Sequence, residues 1–262
     1  MTVYATEYIR DVEEGEMYAQ LFRCNDGNIY VVKVMSNPRG RRALFNELVS
    51  YQLGGLLNLP IAKGQIIVFS KDIFNDPYLL DEMGIQEGPH FGSLFIKNAS
   101  SFSLDKLPFC ENISMLPEMI VFDHWITNFD RWSEPQNLLV VGKEQYKLVL
   151  IDHAHAFNGP DWTIGSLIYW TKNTDIIWGG IYQEFVPFID NEDPFALALK
   201  KLEAITNEEI AAAFGKNLPS EWQVSKEEVK TLLFHLILRK KMIRKMMADL
   251  KDYFPIWSSS NR

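Results

Sequence analysis

The sequence contains few cysteines and no long apolar segment. Only two cysteines, Cys24 and Cys110, occur in 262 residues, and their spacing is typical of neither a zinc site nor a disulfide framework. The first residues lack the basic flank and apolar core of a signal peptide. No run approaches the roughly 18 apolar residues of a membrane helix. These absences predict a cytoplasmic protein without a membrane partner.

Basic residues are also in short supply. Lysine and arginine number 26 against 34 acidic residues, which gives a net charge of -8. A chain with this balance repels phosphate backbones, so we expect no nucleic-acid partner. The sequence contains no internal repeat and no low-complexity segment.

The composition is that of a globular protein with a large core. Apolar residues make up 47% of the chain, enough for one large domain or two closely packed lobes with a cleft. The first third alternates apolar and polar residues, and a turn signal occurs at residues 25–27. The pattern predicts a five-stranded antiparallel sheet with one amphipathic helix over residues 38–59, the strands lying in 2–11, 16–24, 28–35, 64–70 and 91–97.

The sequence texture changes after about residue 100. A segment apolar on most faces, residues 113–127, predicts a buried helix with Pro117 in its first turn. Two short apolar runs joined by residues 142–145 predict a hairpin, and residues 224–254 predict one long terminal helix. A polar, turn-prone stretch at 98–112 separates the two parts. We therefore predict an N-terminal region of residues 1–100 and a mainly helical region of residues 101–262.

Two charged residues in the first region are candidates for a phosphate site. Lys33 lies inside the apolar strand YVVKVM, where an ammonium emerging from a buried sheet needs a partner. Glu47, in the helix that follows, is placed to supply that partner. The alternative is an edge-strand lysine and a solvated helix glutamate with no connection between them.

Three oxygen-bearing residues flank the predicted hairpin. Asp130 follows the buried helix, Asn137 opens the first strand and Asp152 closes the second, so the hairpin brings the last two to one end. Carboxylate and amide oxygens suit Mg²⁺, and a loop carboxylate can accept a proton from a hydroxyl. Each residue taken alone also fits a turn or cap. Phosphoryl transfer needs all of these groups together with a lysine.

The segments YVVKVM, LFNELVSYQLGGLLNLPIA, TNFDRWSEPQNLLV and LVLIDHAHAF resemble the bacterial HipA-like kinases over residues 29–157. The resemblance implies an α+β, two-lobed protein-kinase-like fold with a small antiparallel sheet lobe and a larger, mainly helical lobe. It also implies transfer of the γ-phosphate of ATP, with Mg²⁺, to a hydroxyl acceptor. Protein serine or threonine is the expected acceptor, while a small molecule and a lipid stay open.

The same resemblance assigns a role to each candidate residue. Lys33 would hold the nucleotide phosphates, Glu47 would pair with Lys33, Asp130 would be the catalytic base, and Asn137 and Asp152 would bind magnesium. Asn137 follows Asp130 by seven positions, whereas ordinary protein kinases place the metal asparagine five positions after the aspartate. The connecting loop is therefore expected either to bulge or to belong to the subgroup of HipA-like proteins with the longer insert.

A further departure lies between the first two predicted strands. Where the family has a small-residue loop over the phosphates, this chain has the acidic segment Asp11-Val12-Glu13-Glu14-Gly15. Acids facing a triphosphate would weaken binding by like-charge repulsion. This segment motivates an alternative function, a nucleotide-binding pseudokinase that acts as a regulator or scaffold.

The histidines suggest a second alternative. His153 and His155 form a His-x-His at the end of a strand, and with His124 they could ligate zinc in a metallohydrolase. A hydrolase of that kind would need further ligands on later strands, and the sequence supplies none there.

Overall fold

The computed structural model describes residues 2–12, 18–75, 78–79, 84–131, 133, 137–189, 193–215 and 218–254. Its strands are β1 Val3–Asp11, β2 Gln20–Cys24, β3 Ile29–Lys33, β4 Gly64–Phe69, β5 Gly88–Leu94, β6 Ala99–Ser101, β7 Leu138–Val141 and β8 Lys147–Leu150. Its helices are α1 Arg41–Leu56, α2 Leu116–Trp125, α3 Ile164–Lys172, α4 Gly180–Phe185, α5 Ala196–Ala204, α6 Asn207–Ala213 and α7 Lys226–Ala248.

The first five strands close into a barrel in the order β1-β2-β3-β5-β4. The prediction of a purely antiparallel sheet was therefore wrong at one edge, because β1 pairs with β4 in parallel through Val3 with Ile67 and Tyr4 with Val68. The other neighbouring pairs are antiparallel. Closure gives both edge strands a hydrogen-bonding partner, which an open five-stranded sheet would leave exposed.

Alternating side chains fill the barrel. Phe22, Val32 and Ile67 point into a common core and are fully buried. Gly92 on β5 allows the strands to approach, because a Cβ atom at this position would lie 2.5 Å from Cγ1 of Ile67. The alternation that predicted the strands is thus the alternation between the barrel interior and its outer surface.

A second hydrophobic core joins α1 to the helical region. Leu44, Phe45, Val49 and Leu53 of α1 are fully buried in it. All ten residues of α2 are buried, which explains why its sequence is apolar on most faces and confirms the predicted buried helix. Pro117 lies in the first turn of α2, as predicted.

The terminal helix α7 is shorter than predicted but has clear start signals. Ser225 caps it, since its side chain accepts a hydrogen bond from the backbone N–H of Glu228 while the Glu228 carboxylate accepts one from the Ser225 backbone N–H. The buried face of α7 packs against α2 and α3. Among the helices described, none combines the length and the apolar character needed to cross a bilayer.

The predicted hairpin is confirmed as β7 and β8, and a third strand joins it. β6 pairs with β7 through Ala99 with Val141 and Ser101 with Leu139. The sequence ASS is short and polar, so no apolar alternation indicated a strand there. β6 lies at the predicted boundary near residue 100, and the division of the chain at that point stays a prediction.

Candidate functional site

A cavity of about 950 Å³ lies between the barrel and the three-stranded sheet. One wall is formed by the barrel and the other by the sheet and the residues after β8. Its lining includes four of the five predicted site residues, namely Lys33, Glu47, Asn137 and Asp152.

Lys33 contacts two carboxylates at the wall of this cavity. It is the last residue of β3, and its Nζ forms an ion pair with Glu47 of α1. The same Nζ lies 2.7 Å from Oδ1 of Asp152. The side chains of Lys33 and Glu47 are 10% and 4% exposed, whereas that of Asp152 is 29% exposed. The predicted Lys33–Glu47 pair is therefore present, and a contact with Asp152 is added to it.

Burial and charge shift the pKa values of this triad in different directions. Burial raises the pKa of Glu47 to about 7, against the opposing effect of the Lys33 ammonium. Burial also acts to raise the pKa of Asp152, but the adjacent Lys33 charge outweighs it and lowers that pKa to about 2. Burial acts to lower the pKa of Lys33, but Asp152 and Glu47 outweigh it and raise the value. Lys33 and Asp152 are therefore charged at neutral pH.

The backbone after β8 fixes the position of Asp152. Asp152 has φ 53, in the left-handed region that non-glycine residues adopt rarely. The next backbone N–H, that of His153, donates to Oε2 of Glu47 at 3.0 Å. Glu47 thus holds both the lysine side chain and the backbone beside the aspartate, which offsets the cost of the strained residue.

Asp130 and Asn137 are in direct contact despite their spacing. Nδ2 of Asn137 donates to Oδ2 of Asp130 at 2.7 Å, so the longer loop still brings the two side chains together. Because the amide N–H groups face Asp130, Oδ1 of Asn137 is the atom left for a cation. Oδ1 of Asn137 and the carboxylate of Asp152 are hard oxygen donors that fit Mg²⁺.

Arg131 connects the backbone segments that carry Asn137 and Asp152. Its guanidinium is fully buried, and its Nε donates to Oδ2 of Asp123 at 2.8 Å. Nη1 donates to the carbonyl oxygens of Asn137 and Ile151, and Nη2 donates to Nε2 of His153 at 2.8 Å. One side chain therefore links the backbones that carry both predicted metal ligands, which fixes their separation.

Asp123 is the anchor of Arg131. Besides Arg131, its carboxylate accepts hydrogen bonds from the Tyr182 hydroxyl at 2.9 Å and from Nδ2 of Asn128 at 3.1 Å. Burial, followed by the Asp123 charge, raises the pKa of Tyr182 well above its ordinary value, so the hydroxyl stays a donor. Oδ1 of Asn128 has no hydrogen-bond partner among the described residues. The other contacts of this buried network hold its side chains in place.

Asn46 secures the segment that follows Asp152. Its Nδ2 lies 2.8 Å from the carbonyl oxygen of Ala154, 3.0 Å from that of Ala156 and 3.3 Å from that of Gly159. Its Oδ1 accepts a hydrogen bond from Nε1 of Trp162 at 2.9 Å. Asn46 and its neighbour Glu47 therefore attach α1 to the whole stretch from 153 to 162.

We expect Asn46→Ala to lower the free energy of unfolding by about 3 kcal/mol, because several buried polar groups lose their partner. Urea unfolding measures the change. Gln52→Ala is the control, since Gln52 lies on the same helix and is exposed. Equal effects of the two substitutions would contradict the anchoring role of Asn46.

The acidic segment lies only partly in the described part of the chain. Glu13 and Glu14 fall outside it, and Asp11 is the last residue of β1. Arg10 and Val12 line the cavity, whereas the carboxylate of Asp11 accepts a hydrogen bond from Tyr78 at 3.3 Å on the other face. The alternation along β1 therefore turns Asp11 away from the cavity, and the effect of the acidic segment on nucleotide binding stays a prediction.

The zinc alternative is also contradicted. Both ring nitrogens of His124 lie within 3.0 Å of backbone carbonyl oxygens, those of Ile120 and Ile177, and His153 is bonded to Arg131. In the ranges that the structure describes, no three His, Cys, Asp or Glu side chains form a group able to hold a metal ion. His153 and His124 are structural residues.

Four buried histidines have lowered pKa values. Burial lowers the pKa of His90 to about 4 and that of His235 to about 3. It also lowers the pKa of His124, and burial with the Arg131 charge lowers that of His153 well below its usual value. All four side chains are neutral in the folded protein at neutral pH.

We expect the free energy of unfolding to fall as the pH drops from 7 to 5. The unfolded chain protonates its histidines near pH 6.5, whereas the folded protein does not, so their contribution is present above that pH and is lost below it. Below pH 6.5, each of the four histidines lowers the free energy of unfolding by about 1.4 kcal/mol per pH unit. Glu47 offsets about one histidine, because its raised pKa lets the folded state bind a proton between about 7 and 4.5.

Urea unfolding at pH 7, 6 and 5 measures this slope. His235→Gln removes one of the four groups, so we expect its slope to be smaller by about 1.4 kcal/mol per pH unit. A wild-type stability that does not change over this range would contradict the prediction.

Sequence reasoning missed several residues of the site. Arg10 lines the cavity from β1, and Asn46, Asp123 and Arg131 position the loops. Arg131 directly follows Asp130, so the Asp-Arg pair could have indicated Arg131 as a residue of the site. No sequence pattern indicated Asn46, because an asparagine in a helix is usually an exposed residue. Its hydrogen-bond partners also lie more than 100 positions away.

Known proteins share sequence and structural features with this chain. A sequence model for HipA-like kinases matches residues 5–253, and no curated protein sequence matches the chain. The solved structure of the Helicobacter pylori proinflammatory kinase CtkA is similar, with a TM-score of 0.62 and 14% identity over 92% of this chain and 93% of that one. This likeness shows a shared fold.

Two further solved structures are more distantly similar. The Golgi casein kinase with Mn/ADP bound has a TM-score of 0.48 and 12% identity, over 97% of this chain and 73% of that one. A chain of the Shewanella oneidensis MR-1 complex of HipA, HipB and operator DNA has a TM-score of 0.42 and 8% identity, over 84% and 58%. The expectation of no nucleic-acid partner rests on net charge alone and stays a prediction.

Proposed function

This chain belongs to the HipA-like kinase family, and from that premise we propose that it transfers the γ-phosphate of ATP to a hydroxyl acceptor, with protein serine or threonine as the acceptor class. One observation carries the proposal. Lys33 contacts both Glu47 and Asp152 at the wall of a cavity of about 950 Å³. A strand lysine paired with a helix glutamate, beside an aspartate that can hold Mg²⁺, is the arrangement that protein kinases use at the nucleotide phosphates.

The cavity has an apolar end and a charged end. Val31, Leu94 and Leu139 contribute to the apolar lining, and the segment 95–98 after β5 borders it. We assign the adenine to this end and the phosphates to Lys33. The two lobes, divided near residue 100, would lie on either side of the nucleotide. Apolar walls with a few fixed polar groups are typical of nucleotide sites.

Asn137 and Asp152 would hold magnesium. Oδ1 of Asn137 is free of the contact with Asp130, and the Asp152 carboxylate carries a full charge beside the cleft. Magnesium, when bound, neutralises charge on the phosphate oxygens. Arg131 keeps the two residues at a fixed distance through its bonds to the carbonyl oxygens of Asn137 and Ile151.

The protein's own residues then perform four tasks. Lys33 binds the phosphates, and Glu47 keeps the ammonium in place. The carboxylate of Asp130 accepts the proton of the acceptor hydroxyl as its oxygen forms a bond to the γ-phosphorus. The bond from that phosphorus to the bridging oxygen breaks, and ADP leaves with the electron pair. Asn137 orients Asp130 for this proton transfer by donating to its Oδ2.

Two measurements on the purified protein test the proposal. We expect ATP with Mg²⁺ to raise the melting temperature, and we expect label from γ-³²P-ATP to appear on a hydroxyl-bearing acceptor such as a mixture of serine and threonine peptides. Stabilisation without transfer to any acceptor would favour the nucleotide-binding regulator instead. If ATP with Mg²⁺ gave no stabilisation and no phosphate transfer were detected, the kinase assignment would be contradicted.

A further inference from the structure

The first turn of α1 carries two positive charges at a place where a helix favours negative ones. α1 begins with Arg41 and Arg42, has no acidic residue in its first turn and has no side-chain cap at Gly40. The N-terminal end of a helix carries a partial positive charge, so arginines are unfavourable there. By contrast, α7 begins with a capping serine and has two glutamates in its first turn. The two arginines of α1 therefore need stabilising contacts elsewhere in the fold.

Both arginines contact the C-terminal part of the chain. Nη1 of Arg41 donates to the carbonyl oxygen of Glu221 at 2.9 Å. Nη1 of Arg42 donates to the carbonyl oxygen of Trp162, and its Nη2 donates to Oε1 of Glu228 at 2.5 Å. The guanidinium carbon of Arg42 lies 4.4 Å from the centroid of the Trp162 ring. Arg42 thus joins α1 both to the segment that ends at Trp162 and to the first turn of α7.

The pair of Arg42 and Glu228 is more sheltered than an ordinary surface ion pair. The two side chains are 24% and 17% exposed. The second carboxylate oxygen of Glu228 accepts a hydrogen bond from the backbone N–H of Ser225 at 2.8 Å, so the glutamate is held independently of Arg42. A planar guanidinium that bonds two acceptors and stacks on an aromatic ring is fixed in one orientation. This contact can therefore set the position of α1, which a flexible surface pair could not do.

Arg42 and Glu47 hold the two ends of one segment. The backbone N–H of His153, directly after the predicted magnesium ligand of β8, donates to Oε2 of Glu47 at 3.0 Å. At the other end, the carbonyl oxygen of Trp162 accepts from Arg42. Asn46 bonds the carbonyl oxygens between these ends, and residues four apart on a helix lie on one face, so Arg42 and Asn46 meet the segment together. Helix and segment are therefore attached along their whole contact.

We propose that Arg42 is a positioning residue for the phosphate site. It holds α1 against the segment after β8, and Glu47 then keeps Lys33 beside Asp152. The inference rests on the proposed function, because it assigns a further residue to the same site. Arg42 does not line the cavity, so it acts through Glu47 rather than on the nucleotide. Nζ of Lys33 lies 2.7 Å from Oδ1 of Asp152 in this arrangement. A displacement of about 1 Å at a reacting centre can lower the rate about a hundredfold.

The test is the dissociation constant of ATP with Mg²⁺, measured by calorimetric titration at a temperature where every variant is fully folded. We expect Arg42→Ala to raise this constant about fivefold and to lower the rate of transfer to the mixture of serine and threonine peptides about tenfold. Arg244→Ala is the matched control. Arg244 lies on α7, donates to both carboxylate oxygens of Glu203 at 2.9 and 2.8 Å, and does not line the cavity. We expect the control to keep both wild-type values.

The same substitution in a Glu47→Gln protein separates positioning from stability. If Arg42 acts through Glu47, Arg42→Ala should raise the dissociation constant less than about twofold in that background, because the glutamate that it positions is already gone. The substitution should still lower the melting temperature there, since its contacts with Trp162 and Glu228 are lost in either background. A contact that served stability alone would change the dissociation constant by the same factor in both proteins.

Arg42→Lys keeps a positive charge beside Glu228 but lacks the planar fork, and it replaces Arg42→Ala in the same comparison if that variant does not fold. If the wild type binds ATP and the folded variant binds it equally well, the inference is wrong while the proposed function stands. Equal factors in the wild-type and Glu47→Gln backgrounds would also overturn the inference. A wild-type protein that binds no ATP with Mg²⁺ would contradict the proposed function, and the inference with it.

Discussion

Lys33→Met should lower the rate of phosphate transfer by about a thousandfold or more. Methionine fills a similar volume but supplies no charge to the phosphates, and preorganised charges of this kind carry a large share of the rate in phosphoryl transfer. The measurement is kcat with γ-labelled ATP. Lys147→Met is the control, because the Lys147 side chain is 63% exposed and does not line the cavity.

The same substitution should also cost stability. Without the ammonium, the buried Glu47 and the nearby Asp152 face each other, and breaking a buried ion pair by removing one partner costs about 3–5 kcal/mol. Protonation of Glu47, whose pKa is already raised to about 7, reduces this cost. The double variant Lys33→Met with Glu47→Gln should recover part of the free energy of unfolding but none of the transfer.

This pair of variants separates folding from chemistry. If the double variant recovered phosphate transfer together with stability, Lys33 would act only through the fold. Wild-type transfer in Lys33→Met would remove Lys33 from the site altogether.

Asp152→Asn should change the magnesium dependence, whereas Asp130→Asn should not. Removing one unit of charge next to a metal costs on the order of 1–4 kcal/mol, so the Mg²⁺ concentration for half-maximal stabilisation by ATP should rise about tenfold or more in Asp152→Asn. The measurement is melting temperature at saturating ATP over a magnesium series.

Asp130→Asn should instead lower kcat by about 10²–10⁴, the usual contribution of a positioned proton acceptor. The side-chain oxygen that accepts from Asn137 is kept by asparagine, so the loop and the magnesium midpoint should be retained. If both variants shift the magnesium midpoint equally, the separate roles assigned to Asp130 and Asp152 are wrong.

Local patterns predicted several elements of this fold. The alternation in residues 28–35 predicted β3, and the run of apolar residues in 113–127 predicted the fully buried α2. Both signals come from side chains within one element. The prediction failed where pairing depended on distant residues, at the parallel edge of β1 with β4 and at the short strand β6.

For the candidate site, too, the residues were predictable from the sequence, whereas some of their contacts were not. The residues Lys33, Glu47, Asp130, Asn137 and Asp152 were predicted from their types, order and family resemblance, and the roles assigned to them stay predictions. The contacts among them were not all foreseen. Lys33 bonds to Asp152 as well as to Glu47, and the spacing of seven between Asp130 and Asn137 still permits a contact of 2.7 Å.

The sequence by itself determined which chemical groups are available and which short segments are helical or extended, because residue type and local periodicity are properties of neighbours along the chain. Only the tertiary structure decided that β1 and β4 close a barrel, that Asn46 holds carbonyl oxygens more than 100 positions away, and that Asn137 donates a hydrogen bond to Asp130. These contacts depend on how buried polar groups find partners across the whole fold, and no local pattern encodes that choice.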